Sequence, residues 1–262
     1  MQNSRTQQRG ALAFSISVLV INSFACSGGL SVENRPAKQP ISFESSDGSL
    51  IAADLYKTGD DSAPGLLLVP PVGVMSDIWD SFARVAVSEG YMCLALNPRG
   101  ARLGPNYLQT PSADSALGES TFADMVVGID VLIERGADPA NIAVIGAGNA
   151  ANLALRLALQ QPRVAALVML SPGKTYLERD AVEDIKTLRD CPSLVMCCSE
   201  DSYGSTSSKA IQEAAPVFCE LREYMGMSYG VDILNLSEQA RHQALLWLSR
   251  IIKHSPVQKT TD

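Results

Sequence analysis

From residue 64 onward, short uninterrupted apolar runs alternate with stretches whose apolar residues recur at helical spacing. The runs cover residues 66–69, 91–96, 143–145, 164–170 and 194–198, within a strand-like stretch at 192–198, and a last strand-like stretch follows at 218–224. Three to seven apolar residues in a row, most of them bounded by Gly, Pro, Asn or Ser, suit strands covered on both faces. The helical stretches fall between them: 79–87, 122–133, 152–159, 181–188 and 207–215, with a closing amphipathic helix at 238–252. Ahead of this series, residues 41–45 and 50–57 are strand-like and joined by Ser46-Asp47-Gly48-Ser49, a hairpin signal. The pattern predicts an α/β domain with a mostly parallel sheet, begun by an antiparallel hairpin. Residues 101–115, rich in Gly, Pro and Ser, are expected to be loop. No insertion is long enough for a separate cap domain, and no period of 20–50 residues repeats.

The ends read differently from the middle. Arg5 and Arg9 precede an apolar core at 11–21, which is too short to span a bilayer comfortably. Ser23-Phe24-Ala25 then leads into Cys26-Ser27-Gly28-Gly29. This resembles a bacterial lipoprotein signal with Cys26 as the lipidated residue, although Ser23 replaces the usual Leu. Plain secretion and an uncleaved anchor are the alternatives. The expected organisation is therefore a signal peptide at 1–25, a flexible tether at 26–40, the α/β domain at 41–253 and a tail at 254–262. Export places the chain in the cell envelope, anchored to the membrane through Cys26. The net charge of −7 argues against nucleic acid or an anionic surface as partner, since neither would be attracted to the protein.

Beyond Cys26 there are five cysteines, an odd number. Cys93, Cys197 and Cys198 sit in apolar runs and are expected to be buried. Cys191 and Cys219 are candidates for a disulfide in an oxidising compartment. No spacing of Cys or His suggests a metal site, and no cofactor is expected.

Residues 143–155, Ala-Val-Ile-Gly-Ala-Gly-Asn-Ala-Ala-Asn-Leu-Ala-Leu, form a buried strand, a very tight turn and a helix start. Past the middle of a chain of this kind, such a turn is where a nucleophile elbow, Gly-x-Ser-x-Gly, is expected. The serine position is residue 148, and it is glycine.

Several stretches together resemble the α/β-hydrolase family, in the compact, cap-less form of dienelactone-hydrolase-like and esterase-like proteins. They are residues 66–73 with Trp79, Asn97-Pro98-Arg99-Gly100, 138–155, 167–173, 194–203 and 226–234. The resemblance covers about residues 41–253. It implies an elbow serine, a histidine after the last strand and a carboxylate that orients it. Gly148 stands at the serine position and Tyr229, or its neighbour Ser228, at the histidine position. The two histidines of the chain, His242 and His254, lie in and just past the closing helix. Asp201 falls where the family has its acid. Pro70 stands where the family often has an oxyanion-site histidine. Pro70 and Pro71 lack N–H groups, which leaves Val72 or Gly73 as donors, with the Asn149 N–H as partner.

The reading that follows is an exported, catalytically degenerate α/β-hydrolase-fold lipoprotein. It would act as a binding or scaffolding module toward a small acyl or carboxylate ligand or an envelope protein. The alternative is an active carboxylic-ester hydrolase with a displaced nucleophile, drawn from Ser76, Ser171, Ser199 or Cys198. A third reading is a purely structural protein whose old pocket is plugged by Tyr229 and Met227.

Overall fold

The computed structural model describes residues 37–60, 62–100 and 115–252, all within one unit, Arg35–Asp262. The chain opens on the hairpin β1 (Lys38–Glu44) and β2 (Leu50–Tyr56), turned by Gly48 at φ +81°. Strand β3 (Gly65–Val69) leads to a one-turn 3-10 segment, Ser76–Trp79, that runs into helix α1 (Asp80–Ser88). Gly90, at φ +92°, ends that helix, because its backbone must turn left-handed there. Next come β4 (Met92–Asn97), α2 (Ser115–Glu134), β5 (Ile142–Ala147), α3 (Asn149–Gln160) and β6 (Val164–Leu170). A two-residue ladder follows, β7 (Thr175–Tyr176) with β8 (Arg179–Asp180), and then α4 (Ala181–Ile185). The chain continues with β9 (Ser193–Cys198), α5 (Ser202–Ala214), β10 (Cys219–Tyr224), α6 (Asp232–Leu236) and α7 (Glu238–Ile251).

Eight strands form one sheet in the order β1-β2-β4-β3-β5-β6-β9-β10. The β1/β2 and β2/β4 pairs are antiparallel, and every pair from β4/β3 to β9/β10 is parallel. Each central strand buries both faces, and alternate residues feed two separate cores. Leu67, Val69, Ile142 and Val144 join residues of α2, α3 and α4 in one core. Leu66, Leu68, Ala143 and Ile145 join residues of α1, α6 and α7 in the other. Burial on both faces is why these strands read as continuous apolar runs. The carboxyl ends of β3, β5, β6, β9 and β10 lie along one edge, so the connections that follow them gather there.

Some expectations need correcting. The first strand starts at Lys38, so residues 38–40 belong to β1 rather than to the tether. Helix α5 starts at Ser202, five residues earlier than expected, because the Asp201 side chain caps it by accepting from the Gly204 N–H at 3.0 Å. Helix α6 and the β7–β8 ladder were not foreseen. Cys191 and Cys219 are separate buried or half-buried thiols, not a disulfide. Cys219 opens the β9/β10 ladder opposite Ser193, so Cys191 falls beyond its start. Cys93, Cys197 and Cys198 are buried. The expected signal peptide, Cys26, most of the loop at 101–115, His254 and the tail lie outside the described residues.

Candidate functional site

The turn between β5 and α3 is built by two glycines with different duties. At Gly146 an added Cβ would come within 2.4 Å of the Ala150 carbonyl oxygen, so the helix can approach the strand only over a residue without a side chain. Gly148 has φ +58° and ψ −127°, a left-sided geometry that costs a residue with a side chain about 1–3 kcal/mol. Its N–H donates to the Leu170 carbonyl at 2.9 Å, and its own carbonyl accepts from the Ala151 N–H at 3.0 Å. The sharp strand-to-helix turn is therefore present, with no side chain at its tip.

Tyr229 occupies the space in front of it. Its hydroxyl lies 2.6 Å from the position of a Cβ on Gly148, and ring atoms Cε1 and Cζ lie 3.3 Å away. The next residue, Gly230, is at φ +56° and donates its N–H to the Oγ of buried Ser171 at 3.2 Å. That bond ties the loop after β10 to the end of β6, right across the turn. Burial pushes the Tyr229 phenol up, and the nearby Asp201 carboxylate and Tyr203 add to the effect. Near neutral pH the group is a neutral phenol, which can donate a hydrogen bond but neither takes a proton nor attacks a carbonyl. The third reading has Met227 plugging the pocket beside Tyr229, but Met227 is 76% exposed.

Asp201 follows β9 as the cap residue of α5, and its carboxylate serves the backbone. Oδ1 caps α5, and Oδ2 is buried with no hydrogen-bond partner among the described residues. His242, on α7, is exposed. Among the described residues nothing links a histidine to Asp201 or to the turn.

The oxyanion expectation changes at Val72. Its N–H is used: it donates to the Asn149 side-chain oxygen at 2.8 Å, bridging the loop after β3 to the first residue of α3. Gly73, at φ +85°, is the turn residue of Pro70-Pro71-Val72-Gly73, closed by the Val74 N–H on the Pro71 carbonyl at 2.9 Å. Val72 is thus a positioning contact rather than a free donor. Asn149 brings both its side chain and its backbone to the tip of the turn.

The displaced-nucleophile candidates lie in unsuitable settings. Ser76 is buried, with its hydroxyl donating to Asp54, which also pairs with Lys38 at 2.9 Å. Ser171 is buried as the acceptor for Gly230. Ser199 is exposed beside the Met225 sulfur. Burial pushes the Cys198 thiol up, which suppresses the thiolate that a nucleophile needs. Among the described residues none of the four has a histidine or lysine as a hydrogen-bond partner.

Two contacts at this edge escaped the sequence reading. Asn152 grips Gly173 at both backbone groups, donating to its carbonyl at 2.8 Å and accepting from its N–H at 3.1 Å. A polar residue on the otherwise apolar face of α3 was the available signal. Tyr203, 59% exposed, packs its ring over Gly173. A small cleft adjoins Tyr229, lined by Pro71, Ile78, Gly230, Val231 and Asp232.

No protein-family model matches the sequence, and a search of curated proteins finds no match. Solved structures do match, at low identity. An α/β hydrolase, GrgF, from Penicillium sp. sh18 superposes with a TM-score of 0.70 at 15% identity, over 82% of this chain and 99% of that one. A dienelactone hydrolase from Anabaena variabilis ATCC 29413 gives 0.66 at 14% identity, over 84% and 100%. The esterase domain of a Rhodothermus marinus protein gives 0.63 at 15%, over 82% and 97%. Strand order, the tight turn after β5 and these superpositions agree: the chain has the α/β-hydrolase fold, in the form seen in dienelactone hydrolases.

Proposed function

We propose that this protein is a catalytically silent member of its fold, exported and held at a membrane through a lipidated Cys26, where it binds a ligand or a partner rather than hydrolysing an ester. In this reading residues 1–25 are removed and the segment up to β1 is the tether. One observation carries the silent-site part: the turn that would present a nucleophile has glycine at its tip, and the Tyr229 hydroxyl lies 2.6 Å from where that side chain would begin. Acyl transfer by this fold needs a covalent nucleophile and a base to activate it. Glycine supplies neither, and a neutral buried phenol is a poor substitute for both. The ligand in this reading is a small acyl or carboxylate compound, or the partner an envelope protein.

The test uses 4-nitrophenyl acetate and a fluorophosphonate on the purified protein, beside a Gly148→Ser, Tyr229→His double variant. The natural protein is expected to hydrolyse the ester no faster than buffer and to keep its mass. The variant is expected to gain one adduct, at residue 148. Turnover with an adduct on the natural protein would sink this reading, and the labelled residue would name the nucleophile. For the anchor, Cys26→Ser is expected to move the protein from the membrane fraction to the soluble fraction in a bacterial host. Unchanged membrane association would rule out lipidation at Cys26.

A further inference from the structure

The two edges of the sheet are built differently. Strand β1 carries Pro40, a residue that edge strands use against further pairing. Strand β10 carries no proline, and among the described residues no strand pairs with it on the side away from β9. Every residue of β9 is buried, whereas none of β10 is. The ladder with β9 fixes which backbone groups of β10 point outward. The Phe218 carbonyl accepts from the Ser193 N–H at 2.9 Å, and the Tyr224 carbonyl from the Ser199 N–H at 2.8 Å. In a parallel ladder the residues that address the neighbour alternate with those that do not, so Phe218, Glu220, Arg222 and Tyr224 address β9. The N–H and C=O groups of Cys219, Leu221 and Glu223 therefore point away from the sheet.

The side chains of the edge say what it can pair with. Charged residues ordinarily keep an edge strand from pairing. Here Glu220 and Arg222 have opposite sign, lie two residues apart on one face and form an ion pair with each other. A second copy laid antiparallel, with the two-fold axis at Leu221, sets Leu221 opposite Leu221, Cys219 opposite Glu223 and Glu220 opposite Arg222. The three outward residues then exchange backbone hydrogen bonds with their counterparts. Glu220 and Arg222 fall in the closer, non-hydrogen-bonded pairs, with Cα atoms about 4.5 Å apart. Moving the axis by one residue sets Glu220 on Glu220 or Arg222 on Arg222, which is repulsive. The two charges thus admit one register and exclude its neighbours. The same register lays Phe218, 57% exposed, opposite Tyr224. On the other face Glu223, paired with Lys209 at 2.9 Å, meets an uncharged Cys219.

We propose that the β10 edge is where two copies of this chain join, antiparallel about a two-fold axis at Leu221, into one sheet that runs through both. The partner is a second copy because the charge pattern of the edge is its own complement, as a two-fold interface requires. Backbone pairing supplies the attraction, and the exposed ion pairs set the register more than the strength. The proposal goes beyond the binding reading and does not depend on what the site at Gly148 does.

Sedimentation of the purified full chain is expected to show a monomer–dimer equilibrium over a concentration series reaching about 0.1 mM, where even a weak interface is populated. Glu220→Arg sets like charges across the axis in its own dimer, and so does Arg222→Glu. Each is expected to dimerise at least about tenfold more weakly than the natural chain. Mixed in equal amounts, the two variants have opposite charges at both cross-strand pairs, and the dimer is expected to return. A natural chain that stays monomeric overturns the proposal. Single variants that dimerise as well as the natural chain also overturn it, because the contact then lies elsewhere. A mixture that does no better than its parts excludes this register and overturns it as well. If either variant does not fold, hydrogen exchange of the natural chain decides. The Cys219, Leu221 and Glu223 amides are expected to exchange at least about tenfold more slowly at about 0.1 mM than at about 1 μM. Exchange at these amides that ignores concentration overturns the proposal.

Discussion

Gly146 and Gly148 look alike in the sequence but resist substitution for different reasons, and stability measurements can separate them. An alanine at 146 would overlap the backbone of Ala150, which cannot move without shifting α3. An alanine at 148 would meet strain at φ +58° and the movable ring of Tyr229. Gly148→Ala is expected to destabilise by about 1–3 kcal/mol in urea unfolding. Part of that loss should vanish in a Tyr229→Ala background, with a coupling of about 0.5 kcal/mol or more. Gly146→Ala is expected to show no such coupling, and finding one there would place Tyr229 wrongly. A second residue-scale effect concerns pH. The Arg84 guanidinium, and after it the Tyr56 phenol, hold the Asp80 carboxyl below the usual range. A carboxylate lowered in the folded state stabilises above its unfolded value of about 3.9 and loses that contribution as pH falls through the lowered one. The melting-temperature gap between the natural protein and Asp80→Asn should therefore be largest near pH 7 and narrow toward pH 3. A constant gap would mean that the ion pair contributes nothing. For a partly exposed pair the whole effect is modest.

At the scale of elements, the hairpin and α2 are joined through one buried charge. Asp124 on α2 accepts from Arg99 Nη2 at 2.7 Å and from Ser45 Oγ at 2.7 Å, and Arg99 also reaches Asp47 in the hairpin turn. Asp124 is fully buried, so removing Arg99 strands a charge. Arg99→Met is expected to cost about 3–5 kcal/mol, and Arg99→Met with Asp124→Leu much less, read from urea midpoints. If the double variant is as unstable as the single one, packing rather than the stranded charge is responsible. Legibility in the sequence also divides by element. The central strands were readable because burial on both faces leaves no room for polar residues. The start of α5 was not, because Ser-Tyr-Gly-Ser-Thr-Ser-Ser is poor helix sequence and forms under the cap of Asp201 and against the sheet. The β7–β8 turn carries Leu177 at φ +51° and Glu178 at φ +59° with no Gly or Asn to announce it. Leu177 is held by tertiary contact: it packs with Tyr176 against Gly118 of α2.

For the whole molecule, the two cores on either side of one sheet do the stabilising, and the thiols are part of that packing. Burial pushes Cys191 and Cys219 each up to about 12. Cys93, Cys191, Cys197, Cys198 and Cys219 are expected to take five alkylations after denaturation without reductant, and added reductant should leave the melting temperature unchanged. Four or fewer alkylations at these positions would reveal a bridge that the fold does not contain. By itself the sequence determined the alternation of strands and helices, the tight turn at 146–148 and the glycine at its tip. All of these follow from local pattern and from which side chains exist. Only the tertiary structure decided what stands in front of that glycine. That the Val72 N–H is spent on Asn149, that Ser171 holds Gly230, and that the Tyr229 ring lies against Gly148 depend on residues 59 to 81 positions apart meeting at one sheet edge. Periodicity along a chain carries no record of such distances, because they are set by strand order and packing rather than by neighbours in sequence.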